Sequence, residues 1–262
     1  MKSIVITGST RGIGYGLADE FLKRGCRVAV NGRSAESVDE AMNKLAATHG
    51  RERLTGLAGD ASQAGDVQAL WDAAAAAFGQ VDIWINNAGV GHPYKMVWEL
   101  PVETVNRVVD IDLKGLIFGS QVAIRGMLAQ GSGHLYNMEG FGSDGRMRPG
   151  ISVYGSTKAA VRFLSRSLMR EVKGTPVKVS TLSPGIVITD FLSEQYRDDP
   201  QGFEDAKRVF NTLGDKVETV TPWLVEQVLK NDRSGANINW LTTPKLLSRF
   251  AMMPFSKRDL YS

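Results

Sequence analysis

Short apolar runs alternate with amphipathic stretches along most of the chain. "KSIVITG" (2–8) is β-branched and closed by glycine, and "YGLADEFLKRG" (15–25) then spaces its apolar residues at helical intervals. "CRVAVNG" (26–32) reads as a second strand, and 34–50 as a helix with Ser34 as its cap. "RLTGLAGD" (53–60) and the Ala-rich 64–79 repeat the strand–helix unit. "VDIWINNAG" (81–89) is apolar on both faces, the pattern of a central parallel strand. A long helix within 101–130, a strand at 133–138, a helix at 154–173, a strand at 177–185 and a last strand at 236–241 complete the series. Such alternation predicts an α/β fold, a doubly wound parallel sheet flanked by helices with right-handed crossovers. No repeat, low-complexity tract or linker divides it, so 1–262 reads as a single domain.

Composition narrows the classes of partner. Of 262 residues 43% are hydrophobic and 23% charged, as in an ordinary globular domain. A net charge of +3 is too small to point to nucleic acid. The single cysteine, Cys26, excludes an internal disulfide and suits a reducing compartment. The apolar run at the start has strand length, and no stretch approaches the roughly 20 apolar residues of a membrane span. The expectation is a cytoplasmic protein. His49, His92 and His134 show no metal-ligand spacing and receive no catalytic role, so no metal is expected.

Candidate chemistry begins in the first strand-to-helix turn, 7-TGSTRGIG-14. Gly8, Gly12 and Gly14 follow a strand and open a helix, the context a dinucleotide fingerprint requires, with Ser9, Thr10, Arg11 and Ile13 between them. Gly8 permits the tight turn, Gly12 the approach of backbone to a pyrophosphate, and Gly14 close packing. The helix start offers free N–H groups and a positive dipole end to phosphate. The end of the second strand carries Asn31, Gly32 and Arg33, with no carboxylate for a ribose 2′-hydroxyl. Arg33 and Arg11 are placed to surround a 2′-phosphate, which favours NADP(H) over NAD(H); solvated surface arginines are the plainer alternative.

These motifs form a set with "NNAG" (86–89), "YGSTK" (154–158) and "SPG" (183–185). In order and spacing the set resembles the short-chain dehydrogenase/reductase family over nearly the whole chain. The resemblance implies a Rossmann-like fold with Tyr154 as the catalytic acid/base. Lys158 then lowers the tyrosine's pKa and binds the nicotinamide ribose. Asp60, followed by Ala61, contacts the adenine. Asn87, Ala88 and Gly89 line the cofactor site, and Pro184, Gly185, Val187 and Thr189 hold the nicotinamide end. Physical chemistry agrees: a free phenol titrates near 10, and an ammonium on the same helical face favours the phenolate.

Two departures mark this sequence. The segment 137-NMEG-140 stands where the family commonly writes a hydroxyl, and thirteen residues before Tyr154 lies Phe141. Gly140 replaces the hydroxyl by motif, and Ser143 is the nearest serine, either an oxyanion-stabilising donor or a loop cap. In 110-DIDLKG-115, Asp112 occupies a usual asparagine position beside the proton relay. "NMEGFGSDGR…YGSTK", "LSPGIVITDFL" and "INWLTTPKLLSR" resemble the chlorophyll b reductase branch of the family. That branch implies NADPH-dependent reduction of the formyl group of chlorophyll(ide) b, or of a similar bulky apolar aldehyde. A general carbonyl or 3-oxoacyl reductase, and a catalytically quiet NADP(H)-binding sensor module, are the alternatives.

Residues 190–235 occupy the place of the family's substrate-covering segment, read either as a lid or as amphipathic helices. Asp190 and Glu194 are expected on a solvated face. The extension 242–262 mixes Leu, Phe and Met with Lys and Arg, compatible with subunit packing, a pocket wall or weak membrane-surface contact. The resemblance implies a homodimer or homotetramer packed through helices around 103–129 and 154–173.

Overall fold

A computed structural model describes residues 1–253 and 258–261. The chain runs β1 (Ser3–Ile6), α1 (Gly12–Lys23), β2 (Arg27–Gly32), α2 (Ala35–His49), β3 (Leu54–Ala58), α3 (Ala64–Phe78) and β4 (Ile83–Asn86). A 3₁₀ turn (Val97–Glu99) leads to α4 (Val102–Val109), a π-helical turn (Asp110–Lys114), α5 (Gly115–Gln130), β5 (Gly133–Met138) and α6 (Ser152–Glu171). Then come β6 (Val177–Ser183), β7 (Ile186–Ile188), α7 (Asp190–Gln195), α8 (Pro200–Leu213) and β8 (Gly214–Lys216). The described elements end with α9 (Val217–Lys230), β9 (Asn237–Asn239) and α10 (Thr243–Met252).

Seven strands form one sheet in the order β3-β2-β1-β4-β5-β6-β9, every neighbouring pair parallel. Parallel pairing demands crossovers, and the helices that supply them cover both faces. One buried layer joins β1 and β2 to Leu17, Phe21 and Leu22 of α1 and to Leu224 and Val228 of α9. The other sets Trp84 of β4 against Trp71 of α3, Met127 of α5 and Leu168 of α6. Burying each such side chain contributes about 1.5–3 kcal/mol, which explains why these strands read as unbroken apolar runs. Strand order reverses between β1 and β4, and ligands of open α/β sheets bind at that switch point.

The pattern of the sequence misses three features. The helix expected across 101–130 is α4 and α5 joined by the π-helical turn, which places Asp112 where regular hydrogen bonding is interrupted. The strands β7 and β8 pair with each other in a small second sheet, Ile186 to Gly214 through Ile188 to Lys216. At three residues each, they are too short for periodicity to register. The segment 190–235 is also not one unit. Its second half, α9, buries Val220, Leu224, Val225 and Val228 in the main core, so only α7 and α8 are free to cover a substrate.

Candidate active site

The Gly-rich turn is braced from two sides. Asn87 donates to the carbonyls of Thr7 and Gly8, both at 2.9 Å. Thr7 accepts the N–H groups of Asn87 and Ala88 on its hydroxyl at 3.0 Å. Asn31 accepts the Gly8 N–H at 3.2 Å and donates to Leu57 and Gly59. Ser9 folds its hydroxyl back onto the Ile6 carbonyl. Gly8 (φ +61°) and Gly12 (φ +57°) hold left-handed backbone that a side chain would strain. A Cβ on Gly8 would lie 2.8 Å from Ala88, and one on Gly12 would lie 3.4 Å from Thr189. No side chain caps α1, so its first N–H groups face the space above the turn. A glycine cradle opening onto an uncapped helix fits a dinucleotide pyrophosphate.

At the adenosine end a polar cavity of about 440 Å³ is lined by Arg33, Asp60, Ser62, Gln63, Arg107 and Ile111, among others. Arg33 and Asp60 both line it, together with the carboxylates of Glu103 and Asp110. Arg11 does not join them. Its guanidinium reaches across to α7, 2.9 Å from Glu194 and 3.7 Å from Asp190. The expected pairing of Arg11 with Arg33 is replaced by an ion pair between the Gly-rich turn and α7. Asp190 and Glu194 lie on a solvent-exposed face, as expected, and there they partner Arg11. At the opposite end, Gly185 (φ +73°) follows Pro184. Val187 is buried in β7, and Thr189 precedes α7 beside Gly12.

Tyr154 and Lys158 project from the start of α6 on one face, with Lys158 Nζ 5.5 Å from the phenol ring centre. Beyond Lys158, at 3.6 Å, stands the fully buried carboxylate of Asp112. Asp112 accepts the Val90 N–H at 2.7 Å, and the Thr157 hydroxyl approaches it at 3.5 Å. Burial pushes the Asp112 carboxyl up, with Lys158 opposing. Tyr154 is likewise pushed up, first by burial, then by the Asp112 charge and by Tyr94. Lys158 was expected to lower the phenol's pKa. Its ammonium is instead turned toward a carboxylate that works against that effect, so the phenol keeps its proton through neutral pH.

The two departures have distinct structural outcomes. A Cβ on Gly140 would overlap the Tyr154 hydroxyl and press on the Lys158 stem, so glycine is what lets both side chains pack against this backbone. Glu139 turns away from the site and is buried. Arg162 of α6 grips both its oxygens, at 2.9 and 2.8 Å, and Asn237 of β9 donates to it at 3.1 Å. Ser143 is buried, with its hydroxyl accepting the Gly140 N–H at 3.1 Å and its N–H returning to the Gly140 carbonyl. That is a turn closing on itself, and it favours the cap over the oxyanion role.

Facing the phenol is an aromatic wall. Phe191 of α7 lies 5.6 Å from Tyr154 between ring centres, and Tyr94 stacks on Tyr196 at 4.6 Å. Arg148 lies over Tyr94. His92, given no role from its sequence position, is buried and accepts the Tyr154 N–H. His134 is held against Ser180 and Tyr136, and burial drops its pKa to about 3. His49 pairs with Asp19. No group of three potential metal ligands occurs among the described residues.

Comparison with known proteins agrees with this fold. The pattern described as short chain dehydrogenase matches residues 2–200. The chain belongs to the short-chain dehydrogenase/reductase family, oxidoreductases that use NAD(P)(H) and act on alcohol and carbonyl groups. More particularly, it is 36% identical over 262 residues to the probable chlorophyll(ide) b reductase NYC1 of Arabidopsis thaliana, across 94% of this chain and 52% of that one. It is 38% identical over 239 residues to the chlorophyll(ide) b reductase NOL of Arabidopsis thaliana, across 89% of this chain and 67% of that one. The chain thus spans about half the length of the NYC1 relatives it matches. A serine dehydrogenase complexed with NADP⁺ shares the fold, with TM-score 0.80 at 24% identity over 92% of this chain and 95% of that one.

Proposed function

We propose that this chain is an NADPH-dependent reductase that converts a bulky apolar aldehyde to an alcohol. The formyl group of chlorophyll(ide) b is the leading candidate. One observation carries the reading furthest: Tyr154 and Lys158 stand on one face of α6, with Phe191 of the covering helix α7 5.6 Å from the phenol ring. The aromatic ring of Phe191 beside the phenol suits a substrate whose carbonyl is carried on a large apolar ring. Likeness to the NYC1 and NOL reductases supports the same substrate class.

NADPH, when bound, supplies the hydride that reduces the carbonyl carbon. The chain's own residues do the rest. Tyr154 donates its proton to the carbonyl oxygen as charge develops there. Lys158, on the same face of α6, would offer hydrogen bonds to the nicotinamide ribose. Asp112 holds Lys158 toward Val90 and Gly89. Arg33, with no ion pair among the described residues, is the group that favours a 2′-phosphate in the adenosine cavity. The α7–α8 segment shields the reacting centre from water.

Exposed Phe163 on α6, Leu128 on α5 and Val102 on α4 support association of these helices between copies, as a dimer or tetramer. Leu247, Phe250 and Met252 are exposed apolar residues on α10, which supports a weak membrane-surface contact, although Arg249 of the same helix is engaged by Asp215 and Lys245 by Trp240. Residues 254–257 and 262 of that extension lie outside the described residues.

The test is turnover by the purified chain with NADPH, offered chlorophyllide b, benzaldehyde-type compounds and a 3-oxoacyl thioester. Preferred turnover of chlorophyllide b supports the reading. Preference for the thioester moves it to the general reductases. NADPH binding without turnover of any carbonyl leaves the sensor module.

A further inference from the structure

The catalytic helix has no cap of its own. Helix α6 begins at Ser152 after Ile151, whose side chain offers no acceptor, and its first internal bond runs from the Gly155 N–H to the Ile151 carbonyl. The N–H of Tyr154 therefore belongs to the first-turn donors that lack an intrahelical partner. A residue distant in sequence supplies one. His92 accepts that N–H on Nε2 at 3.3 Å, while its Nδ1 lies 2.8 Å from the Pro93 carbonyl.

A carbonyl only accepts, so Nδ1 carries the proton and Nε2 offers its lone pair. The neutral Nδ1–H tautomer is the single form that satisfies both contacts. With only 3% of its surface exposed, the ring has little access to alternative partners in water. An acceptor at a helix N-terminus also complements the positive end of the helix dipole.

The segment that holds His92 is bonded on both sides of it. Val90 donates to Asp112, Tyr94 donates to the Gln195 carbonyl of α7, and Lys95 donates to the Gly150 carbonyl just before α6. His92 is thus the link to the tyrosine within a strap that also touches the lysine's carboxylate partner and the covering helix.

We propose that His92 is a positioning residue for the reduction: in its Nδ1–H form it caps α6 at Tyr154 and fixes where the phenol stands. This rests on Tyr154 being the proton donor, but the capping itself is measurable without turnover. In the full chain, long-range ¹⁵N–¹H spectra of His92 are expected to show the Nδ1–H tautomer, and the Tyr154 amide is expected to exchange slowly. His92→Phe keeps an aromatic ring, slightly larger than the imidazole, and removes the acceptor. It is expected to speed Tyr154 amide exchange and to lower kcat by roughly 10- to 100-fold with little change in the KM for NADPH. His92→Gln presents an amide oxygen to the same N–H and is expected to restore slow exchange and most of kcat.

An Nε2–H tautomer, unchanged Tyr154 exchange in His92→Phe, or His92→Gln behaving like His92→Phe would overturn the proposal. Absence of turnover in the unsubstituted chain would instead sink the reductase reading, leaving the tautomer and exchange measurements to decide the capping role.

Discussion

Placing a side chain at Gly140 tests the geometry around the phenol. In Gly140→Ser the new Cβ would lie about 1 Å too close to the Tyr154 hydroxyl, and it would press on the Lys158 stem. Neither neighbour yields easily. Lys158 is buried beside Asp112, and Tyr154 lies on a helix whose partner Arg162 is clamped to Glu139. Restoring an ordinary contact needs a displacement of about 1 Å, and misplacing a reacting group by that much costs roughly 10²-fold in rate. The assay is the steady-state rate of NADPH oxidation with an aldehyde, with thermal unfolding as a control for general damage. A fall of about 100-fold in kcat with cofactor binding retained is expected. A Gly140→Ser enzyme as fast as the parent, or faster, would refute the reasoning, since the added hydroxyl would then be acting as the family's usual serine.

Three other outcomes follow from the same geometry. Glu139→Ala strips Arg162 and Asn237 of their buried acceptor and is expected to cost about 3 kcal/mol of stability, read by denaturant unfolding. Asp112→Asn removes a negative charge that holds the Tyr154 pKa up. The phenol then loses its proton at lower pH, so the alkaline fall of aldehyde reduction and the rise of alcohol oxidation both move to lower pH in rate profiles. Arg33→Ala is expected to raise the KM for NADPH by about 10- to 100-fold while sparing NADH, since a charged hydrogen bond is worth about 1.5–3 kcal/mol. Arg11→Ala, because that guanidinium is engaged by α7, should change the cofactor preference far less.

The parallel sheet was legible because its strands are buried on both faces and read as apolar runs, each followed by a helix-period stretch. The Gly-rich turn was legible for a similar reason: its glycines are required by φ and by close approach, whatever the ligand. What stayed hidden depends on contacts between residues far apart in sequence. Glu139 stood out in the sequence only as the neighbour of the missing hydroxyl, yet its carboxylate bonds Arg162 and Asn237, 23 and 98 positions away. Arg11 looked like a phosphate ligand, but α7 brings Glu194 to it from 183 positions along the chain. His92 carried no signal, since a lone histidine in a loop announces nothing until the fold sets the start of α6 against it. The π-helical turn around Asp112 is likewise invisible to a period of 3.6 residues.

The central claim is that Tyr154 protonates a carbonyl reduced at the expense of NADPH. It is tested most directly by following an isotope. The chain is incubated with chlorophyllide b and NADPH deuterated at the transferring position, beside a Tyr154→Phe variant, and the product alcohol is examined by mass spectrometry. The expected result is one deuterium on the new carbinol carbon, formed by the parent chain and nearly lost in Tyr154→Phe. Firm NADPH binding with no deuterated alcohol from any aldehyde, or equal product from Tyr154→Phe, would contradict it.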